Sequence, residues 1–154
     1  MVSVEKLAIA EIVQHPVTGE KALCSLVAFK KGDVISNFEA ENVLSEPTYL
    51  TVQTDEHKHI TLSPSYLQNI NHSCSPNVFF DTTSMQLIAL RQIEANEELT
   101  FFYPSTEWEM SQSFNCFCGS KNCLRTIKGA KFVSSQVIKS YRLTDFIKKQ
   151  FKKG

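Results

Sequence analysis

The sequence predicts a mainly β domain built from several short sheets, with short helices confined to its C-terminal end. Three observations lead to that fold class. Short runs of apolar, β-branched and aromatic residues recur through the first two thirds of the chain, each bounded by polar, Gly or Pro turns. Three cysteines crowd into the eight residues 116–123, a density suited to a metal site. Beyond them, residues 131–154 carry apolar groups at the spacing of an amphipathic helix.

In order, strand-like runs cover 7–13, 22–28, 34–44, 49–54, 59–63, 77–81, 86–91 and 98–103. Turn chemistry separates them at 16–19, 30–33, 55–58, 81–84 and 94–97. Helical signals come late. Ser105 or Thr106 caps a turn through Met110, Ser134 or Ser135 caps a segment with Val137, Ile138 and Tyr141, and Thr144 caps a last turn holding Phe146, Ile147 and Phe151. No repeat of solenoid or propeller length is visible.

With 154 residues, 42% of them hydrophobic, the chain has material for one core and perhaps a small appendage, so two full domains do not fit. Eleven Phe and four Tyr against five Gly and five Pro exclude disordered and collagen-like classes. No apolar run reaches membrane-span length, and Glu5, Lys6 and Glu11 interrupt the place where a signal peptide would need its apolar core. The expectation is an intracellular protein, cytoplasmic or nuclear, with no membrane contact. Formal net charge is zero but unevenly spread, because residues 1–127 carry −7 and residues 128–154 carry +7. An acidic body suits a basic protein or peptide partner, while direct nucleic-acid binding is not expected of it.

Five cysteines, at 24, 74, 116, 118 and 123, are an odd number for a disulfide framework. Cys116, Cys118 and Cys123 form a C-x-C-x4-C cluster, one ligand short of a tetrahedral zinc site. The fourth comes from Cys24, Cys74 or one of four histidines; Cys24 lies in a strand-like run and Cys74 in a polar loop, which favours Cys74. A redox role for the C-x-C pair fares worse, since no thioredoxin-like context surrounds it. The loop containing Cys74 reads Asn71-His72-Ser73-Cys74-Ser75-Pro76-Asn77, and downstream Glu98-Leu99-Thr100-Phe101-Phe102-Tyr103 is a strand ending in an aromatic hydroxyl. Taken singly, His72 is more often a structurally satisfied histidine, and the strand more often packing than chemistry.

In this order and spacing, NHSCSPN, ELTFFY and CFCGSKNC together resemble the SET-domain lysine methyltransferases that carry a post-SET segment. The resemblance runs from about residue 5 to 130 and includes Phe29-Lys30-Lys31-Gly32-Asp33-Val34-Ile35. It implies a β fold whose C-terminal motif threads under a preceding segment as a pseudoknot. It divides the chain into a SET domain at 1–113, a post-SET zinc segment at 114–130 and a basic, helical extension at 131–154. It also implies S-adenosylmethionine as methyl donor, a lysine side chain of a basic, histone-like protein as acceptor, and a structural Zn2+ on Cys74, Cys116, Cys118 and Cys123. By the same resemblance Tyr103 orients the amine at the transfer centre and Phe101 sets how many methyl groups the channel admits, with Phe favouring di- or trimethylation. Asn71 and His72 meet the cofactor, and Leu124 stands against its adenine.

The chemistry suits these residue types. In-line displacement at a sulfonium methyl needs a neutral amine held in line, and an apolar channel disfavours the ammonium. Departures from the family pattern are equally visible. Glu20-Lys21-Ala22 stands where the family has a G-x-G turn against the cofactor, with Gly19 one place early. Phe38 replaces a second channel tyrosine, and Phe102 replaces an acidic residue beside Tyr103. These losses keep alive a second reading, a catalytically weak or inactive zinc-stabilised module that binds a basic peptide. Trp108, between the catalytic strand and the cysteines, is a candidate for lining a channel or for plain anchoring. The apolar groups of 131–154 are expected to dock on the body or on a second copy, the latter making a homodimer.

Overall fold

A computed structural model describes residues 2–153. Its strands are β1 (Val2–Lys6), β2 (Ala10–Gln14), β3 (Lys21–Ser25), β4 (Val34–Asn37), β5 (Glu39–Leu44), β6 (Val52–Asp55), β7 (Lys58–Ser63), β8 (Asn71–His72), β9 (Val78–Asp81), β10 (Gln86–Ala89), β11 (Thr100–Phe101), β12 (Phe114–Asn115) and β13 (Thr126–Ile127). Helices are few: 3-10 turns at Ser65–Asn69, Tyr103–Ser105 and Ala130–Phe132, then α1 (Ser135–Ile138) and α2 (Asp145–Lys153). The strands form three antiparallel three-stranded sheets, ordered β1-β2-β3, β4-β10-β9 and β5-β7-β6, a parallel pair β8 with β11, and an antiparallel pair β12 with β13.

Three elements differ from the sequence expectation, each for a physical reason. The run 34–44 is two strands in two sheets, since β4 pairs with β10 and β5 with β7. The pivot is Phe38, whose ring is buried edge-on against Phe80 at 5.4 Å. β1 was not expected although Val2-Ser3-Val4-Glu5 alternates, because the run is short and, with all five residues exposed, no core face selects it. β8 is only two residues long and pairs in parallel with β11, a long-range contact invisible to local pattern.

The main core gathers the inward faces of the three larger sheets, with Leu23, Ile60, Leu62, Leu67, Phe80, Leu87 and Leu99 almost fully sealed. A second core belongs to the C-terminal segment. Phe102, Ala130, Ile138, Phe146 and Ile147 are buried together, and Tyr141 stacks on Phe102 at 3.6 Å with planes 5° apart. Trp108 belongs here, edge-on to Phe151 at 5.1 Å, and serves as an anchor. Chain entry into this segment depends on Gly129 at φ +122°, where a Cβ would come within 2.5 Å of the Trp108 carbonyl oxygen.

Two of the three expected caps are formed; Ser105 and Thr106 instead close a 3-10 turn at Tyr103–Ser105, and no helix runs on to Met110. Ser134 Oγ accepts from the Val137 N–H and Thr144 Oγ1 from the Ile147 N–H, both at 3.3 Å. Basic residues of the segment meet acidic ones of the body at Lys153–Glu56 (3.8 Å), Lys131–Glu109 (3.6 Å) and Arg142–Asp81 (3.7 Å). Exposed pairs of this kind contribute about 0–1 kcal/mol each. Burying a side chain such as Ile147 is worth about 1.5–3 kcal/mol, so apolar packing dominates the docking.

Candidate active site

The parallel pairing of Thr100 with Asn71 and Phe101 with His72 brings two distant motifs side by side. The loop between β8 and β9 then wraps over β11. Ser73 N–H donates to the Phe101 carbonyl (3.0 Å) and Asn77 N–H to that of Thr100 (3.1 Å). Asn77 Oδ1 accepts from Thr100 N–H and its Nδ2 donates to the Glu98 carbonyl, both at 2.8 Å. The later strand is thereby threaded beneath the earlier loop, the interlocked arrangement expected from the sequence. Its product is the placement of Tyr103 against His72, whose Nδ1 accepts from the Tyr103 N–H at 3.0 Å.

Two cavities meet at this point. One, about 670 Å³, is lined by Glu20, Lys21, Ala22, Asn71, His72 and Tyr103, all named from sequence, and also by His15, Glu98, Phe114 and the 115–118 stretch. The other, about 420 Å³, is mainly apolar, with Val52, Leu62, Leu67, Ile70, Phe80, Phe101 and Tyr103 in its wall beside the polar Thr51, Gln68 and Glu107. Tyr103 and Phe114, rings 5.7 Å apart, belong to both walls. Phe101 lies 4.6 Å from the Tyr103 ring and 4.8 Å from that of Phe80, so it shapes the apolar cavity from its core side.

Burial, with the Glu107 charge next in weight, pushes the Tyr103 hydroxyl up to about 12, so it stays protonated at neutral pH. Burial also holds His72 down to about 4, hence a neutral ring. Since Nδ1 is an acceptor, the proton sits on Nε2, which faces Cys74 Sγ at 3.4 Å. His72 thus links the tyrosine to the cysteine cluster.

The Glu20-Lys21-Ala22 segment enters the larger cavity through a tight turn. Gly19 adopts φ +76°, its N–H donates to the His15 carbonyl (3.0 Å), and His15 Nδ1 accepts from the N–H groups of Val17 and Thr18 (3.2 Å each). Asn71 Nδ2 donates to the Lys21 carbonyl at 2.8 Å, tying this turn to β8. Gly19 therefore supplies the positive φ, and histidine side-chain bonding stabilises a turn that sequence alone left doubtful.

Cys74, Cys116, Cys118 and Cys123 converge, with all four sulfur atoms within 4.8 Å of one another. A tetrahedron with Zn–S bonds of about 2.3 Å has edges of about 3.8 Å, so this all-thiol set fits zinc with slight contraction. The Leu124 N–H donates to Cys74 Sγ at 3.3 Å, the kind of bond that supports a thiolate. Burial pushes Cys74 well up, an opposition that only a bound cation would reverse. Cys24 stays apart in β3, half-buried and facing Glu98 across an isolated bridge. Leu124 packs between the cysteines and the C-terminal core and is not part of the larger cavity's wall. Trp108 lines neither cavity.

Sequence reading missed His15, Glu98, Phe114 and Glu107. Glu98 opens the ELTFFY motif and was legible there; burial pushes its carboxyl up at the cavity edge. The other three lie in segments without a motif, and only the fold brings them in.

Two adjoining cavities that share Tyr103 and Phe114 suit an enzyme that brings two reactants together. Residues 20–104 match the SET domain family, and the chain belongs to it. It is 42% identical over 126 residues to a methyltransferase, flvH, of Aspergillus flavus, covering 80% of this chain and 70% of that one. An H3 lysine-36-specific histone-lysine N-methyltransferase of Candida albicans is 33% identical over 87 residues, covering 53% of this chain but 10% of that protein. The fold also matches KRYPTONITE in complex with mCHG DNA and SAH, with TM-score 0.59 and 22% identity over 79% of this chain and 30% of that one. The chain spans only 5–21% of the length of its histone-specific relatives. The family is one of S-adenosylmethionine-dependent lysine methyltransferases, which favours the enzyme over the binding-only reading.

Proposed function

We propose that this protein transfers methyl groups to the side-chain amine of lysine in a basic, histone-like protein. The observation that carries the reading is the junction at Tyr103, where the larger and the smaller cavity adjoin across the Tyr103 and Phe114 rings. S-adenosylmethionine supplies an electrophilic sulfonium methyl in the larger cavity. Glu20, Lys21, Ala22, Asn71 and His72 line that cavity and would hold the donor. The lysine stem enters between Leu67, Ile70 and Phe101, and the Tyr103 hydroxyl, which donates its own proton to the Ile70 carbonyl at 3.5 Å, accepts from an amine N–H and so leaves the lone pair aimed at the methyl. Phe101 offers no hydroxyl to hold a competing water, which leaves room for a methylated amine to turn.

Cys74, Cys116, Cys118 and Cys123 would hold a structural Zn2+ that braces the wall containing 115–118. Division into a SET domain at 1–113, a post-SET segment at 114–130 and a helical extension at 131–154 is consistent with the two cores, although Cys74 makes the first two interdependent. Packing of the extension on its own chain supports docking in cis over exchange between two copies. The relatives' histone specificity supports a nuclear substrate. Labelled S-adenosylmethionine incubated with the protein and core histones, or with a nuclear extract, tests the reading. Lysine-borne label is the expected result, and no transfer to any protein would remove it.

A further inference from the structure

Methyl transfer needs a neutral amine, yet a lysine of pKa about 10.4 is roughly 0.1% neutral at pH 7.5. We infer that Glu107 receives the substrate ammonium in the apolar cavity and takes its proton before each transfer. This assignment rests on the methyltransferase reading and adds a catalytic group to it.

Glu107 is the one formally charged side chain in the wall of the 420 Å³ cavity, and it is only 7% exposed. One oxygen is anchored: Oε2 accepts from the Gln53 N–H at 2.9 Å and from the Thr106 hydroxyl at 2.6 Å. The other, Oε1, receives no donor from the described residues. Nor is it sealed away, since the sealed side-chain atoms lacking a partner are His59 Nδ1 and Ser105 Oγ. An anchored carboxylate therefore leaves a free oxygen in the wall of a mainly apolar cavity that Tyr103 also lines, whose other polar groups, such as Thr51 and Gln68, are uncharged.

Among the described residues no cation pairs with that charge. The groups facing it are the Gln53 N–H, the Thr106 hydroxyl and the Tyr103 phenol, and no Lys, Arg or His of the described residues forms an ion pair with it. Burial pushes its carboxyl up to about 7, against the pull of the Thr106 and Gln53 bonds. A buried, unpaired carboxylate is costly and suits a cation arriving from outside. The structural alternative is a clasp, because Glu107 joins β6 while Trp108 N–H donates to Gln53 Oε1 at 2.9 Å.

The step balances. The ammonium N–H proton passes to Oε1, leaving a neutral amine and a carboxylic acid; in the dry cavity this neutral pair is favoured over the ion pair relative to water. The amine lone pair then forms the N–C bond as the C–S bond breaks, its electrons remaining on sulfur. Glu107 returns its proton to solvent when product leaves, ready for the next methyl.

Glu107→Gln keeps an acceptor for Gln53 and Thr106 and removes only the base, so it separates catalysis from clasp. With a lysine peptide, wild-type kcat/KM should rise through a limb near pH 7. In the variant activity at pH 7.5 should fall on the order of 100-fold, the limb should vanish, and the rate should climb about tenfold per pH unit as free lysine deprotonates. Cofactor binding by calorimetry should be unchanged. Variant activity within threefold of wild type at pH 7.5, or a wild-type profile without that limb, overturns the assignment.

Butylammonium provides a second measurement, on the wild type alone and without turnover. Its affinity should increase about thirtyfold from pH 5.5 to 8, as the carboxyl ionises through about 7, while that of butanol stays level. A flat response overturns the role of Glu107 and leaves methyl transfer standing. Absence of turnover on every lysine substrate, with the butylammonium response intact, overturns the enzyme reading instead.

Discussion

The hydroxyl of Tyr141 donates to the main-chain carbonyl of Cys74 at 2.6 Å while its ring lies flat on Phe102. Asn122 joins the same point, its Nδ2 donating to both the Tyr141 hydroxyl (3.0 Å) and the Cys74 carbonyl (2.8 Å). One side chain of the C-terminal segment thus touches a proposed metal ligand and the residue before the proposed catalytic tyrosine. Tyr141→Phe keeps the stack and loses the hydrogen bonds, at a cost of about 1 kcal/mol. Thermal unfolding should show a Tm lower by about 2–4 °C. Ending the chain at Gly129 exposes Phe102 and should cost far more, read in the same experiment.

Elemental analysis of the purified protein should find about one zinc per chain, as a four-cysteine site requires. Cys74→Ser should release it and disorder residues 114–127, whereas Cys24→Ser should keep it, because only the former sulfur lies in the cluster. Hydrogen exchange over 114–127 reads the difference.

Tyr103→Phe should lower kcat strongly and leave cofactor affinity nearly unchanged, since the ring stays in both walls while the hydroxyl lost is the one beside the Ile70 carbonyl of the smaller cavity. Calorimetry with S-adenosylmethionine beside initial rates separates the two effects.

Phe101→Tyr adds a hydroxyl to a ring 4.6 Å from that of Tyr103. The space it takes is that in which a methylated amine must turn. Products should shift toward monomethyl-lysine, and mass spectrometry of product states checks it.

Acid should weaken the fold through His72. Burial holds its folded pKa down to about 4, against about 6.5 in the unfolded chain, so between those values the unfolded state binds more protons. Stability is complete above pH 6.5, falls as pH drops through this window and flattens below about 4. Urea midpoints at pH 7.5 and 5 should differ less in His72→Gln than in the wild type.

Legibility in the sequence followed locality. Ser134 and Thr144 were readable as caps because a cap is a local pattern, and both accept the expected N–H. Cys74 was separable from Cys24 because a polar loop and a strand differ in composition. Invisible were contacts made by register and threading. Nothing local in Asn71 or His72 announces a parallel partner, and nothing in Ser105-Thr106-Glu107 announces that its carboxylate will reach across to Gln53. Phe102 read as a lost acidic group; it is the floor on which Tyr141 stacks, a pairing 39 positions apart.

Threading β11 beneath the 73–77 loop has a consequence for how the protein is made on the ribosome. Residues 71–77 emerge before 98–101, the strand partner they close upon, and Cys74 then waits for Cys123 and Tyr141. Contacts of such long sequence separation form slowly, and exposed apolar strands wait meanwhile. A nascent chain released early would therefore hold neither a metal nor a working tyrosine, so truncated translation products of this protein should be inert and short-lived.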